Sequence, residues 1–276
     1  IAIAIAIVSC VILSAKRRVI CVGGGYLIHM FGAYFGLTVT IFLTSNASRS
    51  HPDNTSCYSS DLFAMIGTLF LWICWPSFNA ATAAEGQHQS RAFINTFLSL
   101  TAATATSFVM SRFVGEQRFE MVHIQNSTLA GGVAMGAVAD LNLYPAVVIG
   151  VGAIAGIVSV LGYRFLTPFM NNYLHAKYAA TPASSNPHSY IHTFSHSSAR
   201  VILMPHHPLS PLLQDICGIH NLHGMPSIIA ALVAIFSTLG ISQREDASQF
   251  PRGTNQPGYQ VAGMAVTLGT SSHQAL

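Results

Sequence analysis

The sequence predicts an all-α fold, a polytopic helix bundle in a lipid bilayer, on three observations. Hydrophobic residues make up 51% of the 276 and charged residues only 8%, where a soluble domain carries roughly 25% charge. Apolar stretches recur at 20–44, 62–84, 93–110, 121–139, 145–166, 219–241 and 259–269, and most reach the ~17 to 25 residues that cross a bilayer. Glycines stand four apart in several of them, as Gly32 and Gly36, Gly132 and Gly136, and Gly152 and Gly156, a spacing that lets helix backbones approach closely. About six to seven transmembrane helices are expected, in one transmembrane domain over 1–276.

In order along the chain, the opening "IAIAIAIVSCVIL" is apolar for thirteen residues before "KRR". That is short for a span, and a signal peptide carries its charges ahead of the apolar core rather than after it. The 20–44 run places His29 about ten residues into its helix, near mid-depth at ~1.5 Å per residue. Ser and Thr dilute the 62–84 and 93–110 runs, as helices that bond across a bundle allow. The 121–139 run opens on "EMVHIQN", where His123 reads as a cap or packing residue. "GVGAIAG" in the 145–166 run is no nucleotide loop, since no strand precedes it. The 219–241 run carries His220 and His223 in "ICGIHNLHG", and the last run ends in "VTLGTSSHQAL" before completing a crossing. Both ends therefore read as interior points of a longer protein.

The 176–212 segment breaks the pattern. It is rich in Ser, Pro and His without a sustained period, and reads as an inserted, disordered cytoplasmic loop. His188, His192 and His196, four apart, could share a helical face and hold a metal; a solvated low-complexity segment is the preferred reading.

Charge orients the bundle. With alternating helices one side receives Arg49, Arg112, Arg118, Arg164, Lys177 and Arg200, the other Arg91, Arg244 and Arg252, so the first side is expected to be cytoplasmic. Lys16, Arg17 and Arg18 would fall on the opposite side. The sequons at Asn46 and Asn54 then lie inside the cell, where they escape glycosylation. A net charge of +3 gives nucleic acid no footprint. Cys21, Cys74 and Cys217 in or beside the apolar runs behave as small apolar side chains rather than disulfide partners.

Titratable residues inside apolar runs are functional candidates, because a charge at the bilayer centre costs at least ~2.5 kcal/mol. A neutral imidazole avoids most of that cost and still offers one donor and one acceptor. His29 and His223 facing a narrow passage would suit a small neutral hydrogen-bonding molecule, and their ring nitrogens are expected about 2.7 to 3.5 Å apart. A packing histidine bonded to a carbonyl is the plain alternative, and Cys217, His220 and His223 at successive threes the metal alternative, without a further ligand nearby.

Four stretches, "IHMFGAYFGLTVT", "SDLFAMIGTLFLWICWPSFNAA", "MVHIQNSTLAGGVAMG" and "CGIHNLHGMPSII", together resemble the Rh glycoproteins of the ammonium transporter superfamily, over roughly 22–175 and 213–267. The resemblance implies a fold of about eleven to twelve helices built from two inverted repeats, a homotrimer in the plasma membrane, and a channel for ammonium or ammonia, with methylammonium or carbon dioxide as further solutes, rather than an enzyme. No cofactor or metal is implied. It makes His29 and His223 the twin pore histidines and Phe78 an outer gate that strips water from the solute. Asp61 and Asn79 correspond to polar residues near the pore ends, and Glu120 stands where the family has an aspartate. His220 is expected to line a vestibule or bond a neighbouring helix. For Asp61, partnership with its helix dipole is the competing role.

Three departures qualify this, one being that the family's first four helices and the inner phenylalanine partner of the gate are not represented. Cys21 stands eight residues before His29, where the family has an aspartate that supports recruitment and the local fold, and 176–212 interrupts a short loop. A non-conducting structural membrane subunit of the Rh type is therefore the alternative reading, and a zinc carrier with a His-rich loop a third. Because 176–212 offers the bundle no apolar face, its deletion is expected to leave membrane insertion and assembly intact in a membrane-fractionation assay; loss of insertion would make the segment structural.

Overall fold

In a bilayer each backbone N–H and C=O must be satisfied within the protein, so apolar runs become helices. The computed structural model describes residues 19–44, 51–54, 56–115, 119–171, 213–241, 250 and 252–273; the expected insertion at 176–212 lies outside them. The helices are α1 (His29–Leu43), α2 (Tyr58–Ala80), α3 (Gln87–Val114), α4 (Met121–Ser127), α5 (Ala130–Met135), α6 (Pro145–Leu161), α7 (Met225–Ile241) and α8 (Gln256–His273). No strand occurs among the described residues. A π-turn, Gly162–Leu166, extends α6, and another, His220–Gly224, leads into α7. By length and apolar composition four helices can cross a membrane: Tyr58–Ala80, Gln87–Val114, Pro145–Asn171 and His220–Gly240.

Three apolar runs depart from the expected continuous helix. The 20–44 run is helical only from His29 onward, residues 21–28 forming turns. The cause is local: three consecutive glycines, Gly23 to Gly25, disfavour helix, and Gly24 has φ +70°, a region closed to most side chains. His29 is thus the first residue of its helix, not a mid-helix residue. The 121–139 run breaks at Thr128 and Leu129 into α4 and α5 and then unwinds into turns. The last run starts earlier than 259 and continues past 269, as α8.

Successive elements alternate in direction, so 19–28, 80–87, 136–144 and the start of α8 share one end of the bundle, here the near end. Residues 115, 119–120 and 213–218 and the start of α2 share the far end. At the start of α2, Cys57 and Ser60 form a reciprocal capping box.

All six residues of α5, "AGGVAM", are buried, and the helix lies at the centre. It can do so because its neighbours meet it at glycines. A Cβ on Gly131 would fall on the Ser99 carbonyl, one on Gly132 would come 2.6 Å from Trp75 Cδ1, and one on Gly136 would come 3.1 Å from the Gly25 Cα. Across the same seam a Cβ on Gly152 would also fall on the Ser99 carbonyl, and one on Gly156 would come 2.6 Å from the Ala103 carbonyl oxygen. Gly32, by contrast, has nothing within 4 Å, so its pairing with Gly36 marks no close contact here.

Polar side chains then bond across the seams. Ser99 donates to the Gly131 carbonyl (2.8 Å), Thr106 to Ala153 (3.1 Å), Thr68 to Gln125 (2.8 Å), and Trp72 Nε1 to Thr104 Oγ1 (3.0 Å). Such bonds are worth about 0.6 kcal/mol each on average in a membrane bundle, so close backbone packing carries more of the association than any single one.

The glycine contacts generate a paired prediction. Gly152→Ala forces Cβ into backbone and is expected to abolish a sharp thermal transition of the detergent-purified chain. Gly150→Ala, with open space at its Cβ, is expected to be tolerated or to stabilise by up to ~1 kcal/mol through helix propensity.

Candidate functional site

The helix starting at His29 and the π-turn leading into α7 come from opposite ends and meet. There the His29 and His223 rings lie parallel, centroids 5.0 Å apart with 5° between planes. Trp75, from α2, stacks on His29 (5.6 Å, 22°) and lies 6.4 Å from His223. Phe78, one turn along α2, is tilted over both His29 and Trp75 at 6.3 Å and is half exposed at the near end.

The ring nitrogens were expected to bond to each other. The two rings lie nearly parallel beside each other, but His29 Nε2 and His223 Nδ1 are not bonded to each other. His29 Nε2, His223 Nδ1 and Trp75 Nε1 are all buried without a hydrogen-bond partner. Three orphaned polar atoms on adjoining rings are an unusual concentration in an interior where such atoms are normally paired. Their chemistry is that of neutral hydrogen-bond donors and acceptors.

His220 and His223 share the π-turn but meet different neighbours. The wider turn separates their directions more than an α-turn would: His220 meets Tyr34 edge-on at 5.7 Å while His223 stacks on His29. His220 Nδ1 is likewise buried without a partner. A Cβ on Gly224 would come 3.2 Å from the His220 ring and 3.6 Å from Tyr34, so this glycine keeps the space between them open.

The remaining candidates lie apart. Asn79 is fully buried near the near end and braces three elements, donating to Thr96 Oγ1 (3.0 Å) and the Gly132 carbonyl (3.1 Å), with its oxygen against Gly23. Asp61 stands in the first turn of α2 and accepts from Ser56 Oγ at 2.6 Å, the geometry of a helix-start carboxylate. Glu120 is an exposed N-cap of α4 at the far end.

Four groups that shape the site were not singled out from the sequence. Trp75 sits three residues before Phe78, a helical spacing that was its available signal. Tyr34 had none. Asp215, eight residues before His223, is 4% exposed and accepts from the backbone N–H of Ile219 (2.8 Å) and His220 (3.0 Å), its own N–H donating to Asn171 Oδ1 (3.2 Å). Burial pushes its carboxyl above the usual carboxylate range, against the pull of those N–H groups. At the near end Asp140 meets His88 at 3.5 Å. Its carboxyl too is raised by burial, and the His88 charge works the other way.

Residues 4–175 match the model of the Ammonium Transporter Family. The chain is 42% identical over 226 residues to Rhesus-like glycoprotein B of Dictyostelium discoideum, covering 81% of this chain and 32% of that one. It is 42% identical over 230 residues to Ammonium transporter Rh type A of Mus musculus (82% and 44%). With Ammonium transporter Rh type B of Danio rerio it shares 41% over 263 residues (90% and 49%). Among solved structures it superposes on Rh50 of Nitrosomonas europaea with a TM-score of 0.69 at 28% identity, over 93% of this chain and 53% of that one. On Saccharomyces cerevisiae Mep2 the TM-score is 0.62 at 16% identity, over 95% and 50%, a likeness of fold. The chain spans between about a third and a half of the curated relatives.

Asp215 caps the π-turn, His220–Gly224, that carries His220 and His223. Asp215→Ala is expected to cost about 0.5–2 kcal/mol, the range for loss of an N-cap, read as a lower apparent Tm, with Asp215→Asn in between. An unchanged Tm would show that the two N–H groups find other acceptors.

Proposed function

This chain belongs to the ammonium transporter family, and on that premise we propose that it lines an Rh-type passage through which ammonia crosses the plasma membrane as the neutral molecule. The observation that carries the proposal is the stacked pair His29 and His223 with buried, unpartnered nitrogens, roofed by Trp75 and Phe78.

The mechanism follows from cost. Ammonium is a full charge, and taking it dehydrated among Trp75, Phe78 and Leu222 is prohibitive unless it sheds its proton first. Counted from residue 19 onward, six Lys and Arg fall on the far side and three on the near side, so the near end faces outward, which makes Phe78 the first aromatic met. There the solute loses its water and leaves its proton outside. Ammonia then exchanges bonds with Trp75 Nε1 and His29 Nε2, passes to His223, and leaves through the gap that Gly224 keeps beside His220 and Tyr34. Reprotonation follows at the far end. No group along the line carries a fixed charge, so nothing traps the solute.

Assembly as a homotrimer, and methylammonium or carbon dioxide as further solutes, belong to the same proposal. One observation favours the second reading, a non-conducting structural subunit: Cys21 stands eight residues before His29, at the offset where Asp215 caps the turn before His223.

Methylammonium uptake into vesicles carrying the protein separates the readings. His223→Ala is expected to cut uptake roughly tenfold, or about 1.4 kcal/mol, and much more than His220→Ala, whose ring lies off the stack. Equal losses would make the two histidines one unit, and uptake insensitive to both would leave the structural subunit standing.

A further inference from the structure

A second group of unpartnered polar atoms lies away from the rings. Ser107 of α3, Ser127 at the end of α4 and Ser159 of α6 are each 0% exposed, and the hydroxyl oxygen of each is without a hydrogen-bond partner. The default for such a hydroxyl in a helix is a bond back to its own helix, as Thr104 makes to Leu100 and Thr128 to Ile124. These three do not make it.

The helix register brings them together. On α3 the residues facing this seam are Ser99, Ala103, Ser107 and Ser111, one turn apart. Ser99 meets Gly131 and Gly152, and Ala103 meets Gly131 and Gly156. Ser111 Oγ lies 3.2 Å from His123 Nδ1, and the His123 ring lies 5.9 Å from Tyr163. On α4 Ser127 falls between His123 and Gly131, four residues from each; on α6 Ser159 falls between Gly156 and Tyr163. Each serine therefore occupies the one layer of the seam between two layers whose contacts are direct. The layer above is closed by glycine against backbone, the layer below by Ser111, His123 and Tyr163.

We infer that Ser107, Ser127 and Ser159 together form a binding site for a single water molecule, bridging α3, α4 and α6 just before the break between α4 and α5. Water offers two hydrogens and two lone pairs, enough to engage three hydroxyls at once and to satisfy each. A structural water needs two to four polar partners in a polar pocket, and this layer supplies three. A purely apolar molecule would leave all three hydroxyls unmet. The bridge gives the end of α4 a fixed attachment where its own helical bonds run out. The inference does not depend on what passes the histidines.

X-ray hydroxyl-radical footprinting of the full chain in detergent or nanodiscs tests it, because radiolysis of a bound water labels the side chains beside it. His123, one turn from the layer, is expected to be labelled faster than Tyr26, a fully buried tyrosine of the hydrophobic core, although a tyrosine ring is intrinsically the more reactive. Ser159→Ala is expected to bring His123 labelling down to the Tyr26 level and to lower the apparent Tm. Wild-type labelling of His123 no faster than Tyr26 overturns the site without any variant. Labelling unchanged in Ser159→Ala, or a raised Tm in that variant, overturns it as well, since removing an unmet hydroxyl stabilises while removing a water ligand does not.

Discussion

The absence of side chains at Gly131, Gly132 and Gly136 is the constraint on which the remaining structure depends. Without a Cβ at these positions α5 can lie fully buried among α2, α3, α6 and α7, and each contact it makes fixes something else. Gly132 receives the face of Trp75, and Trp75 in turn stacks on His29. Gly136 lies against Gly25, and the backbone N–H groups of Val22 and Gly23 donate to the Ala137 (3.3 Å) and Gly136 (2.6 Å) carbonyls. A backbone without side chains is thus the reference against which both the roof and the first histidine are positioned.

Charge is arranged with the same economy. The described carboxylates lie toward the ends: Asp215 and Glu120 at the far end, Asp140 beside His88 at the near end. Asn95 holds the loop next to Asp140 by donating to the Ala139 (2.8 Å) and Leu141 (3.1 Å) carbonyls. Between the ends, polarity is carried by neutral groups, hydroxyls, amides and imidazoles. In a low-dielectric interior a neutral group that lacks a partner costs far less than an unpaired charge, so the bundle tolerates unmet nitrogens on its rings where it would not tolerate a carboxylate.

How much of this was legible depended on the kind of signal. The helical bundle followed from composition and apolar run length, because a bilayer leaves so few alternatives for the backbone. His29, His223 and Phe78, which the structure brings to one place, were visible as polar or bulky residues in apolar runs. The helix start at His29 was underestimated because "GGG" was read as part of a long apolar run, although three glycines argue against helix. The break before α5 was not legible, since "NSTLAGG" contains no proline and the neighbours that meet the α5 glycines, Ser99, Trp75 and Gly25, are distant in sequence. The π-turn at His220–Gly224 also left no mark, and it is what sends His220 to Tyr34 while His223 goes to His29. That Asn79 braces Thr96 and Gly132 was not legible, because those partners are distant in sequence.

The contrast between Asp215 and Cys21 then acquires a physical meaning. Both precede a histidine by eight residues, and the Asp215 carboxylate caps the turn that follows it. The turn before His29 has no side-chain cap at Ile28, and three other attachments hold it. Gln260 of α8 pairs with the backbone of Ile20 in both directions, accepting from its N–H (2.9 Å) and donating to its carbonyl (2.8 Å). Thr82 donates to the Val22 carbonyl, and the 136–137 carbonyls accept from Val22 and Gly23. These bonds come from three separate elements, so they fix the turn by its backbone rather than through a carboxylate at its start. The first histidine is therefore held from outside its own segment and the second from within it, and a chain with a cysteine at position 21 can still bring the two rings parallel.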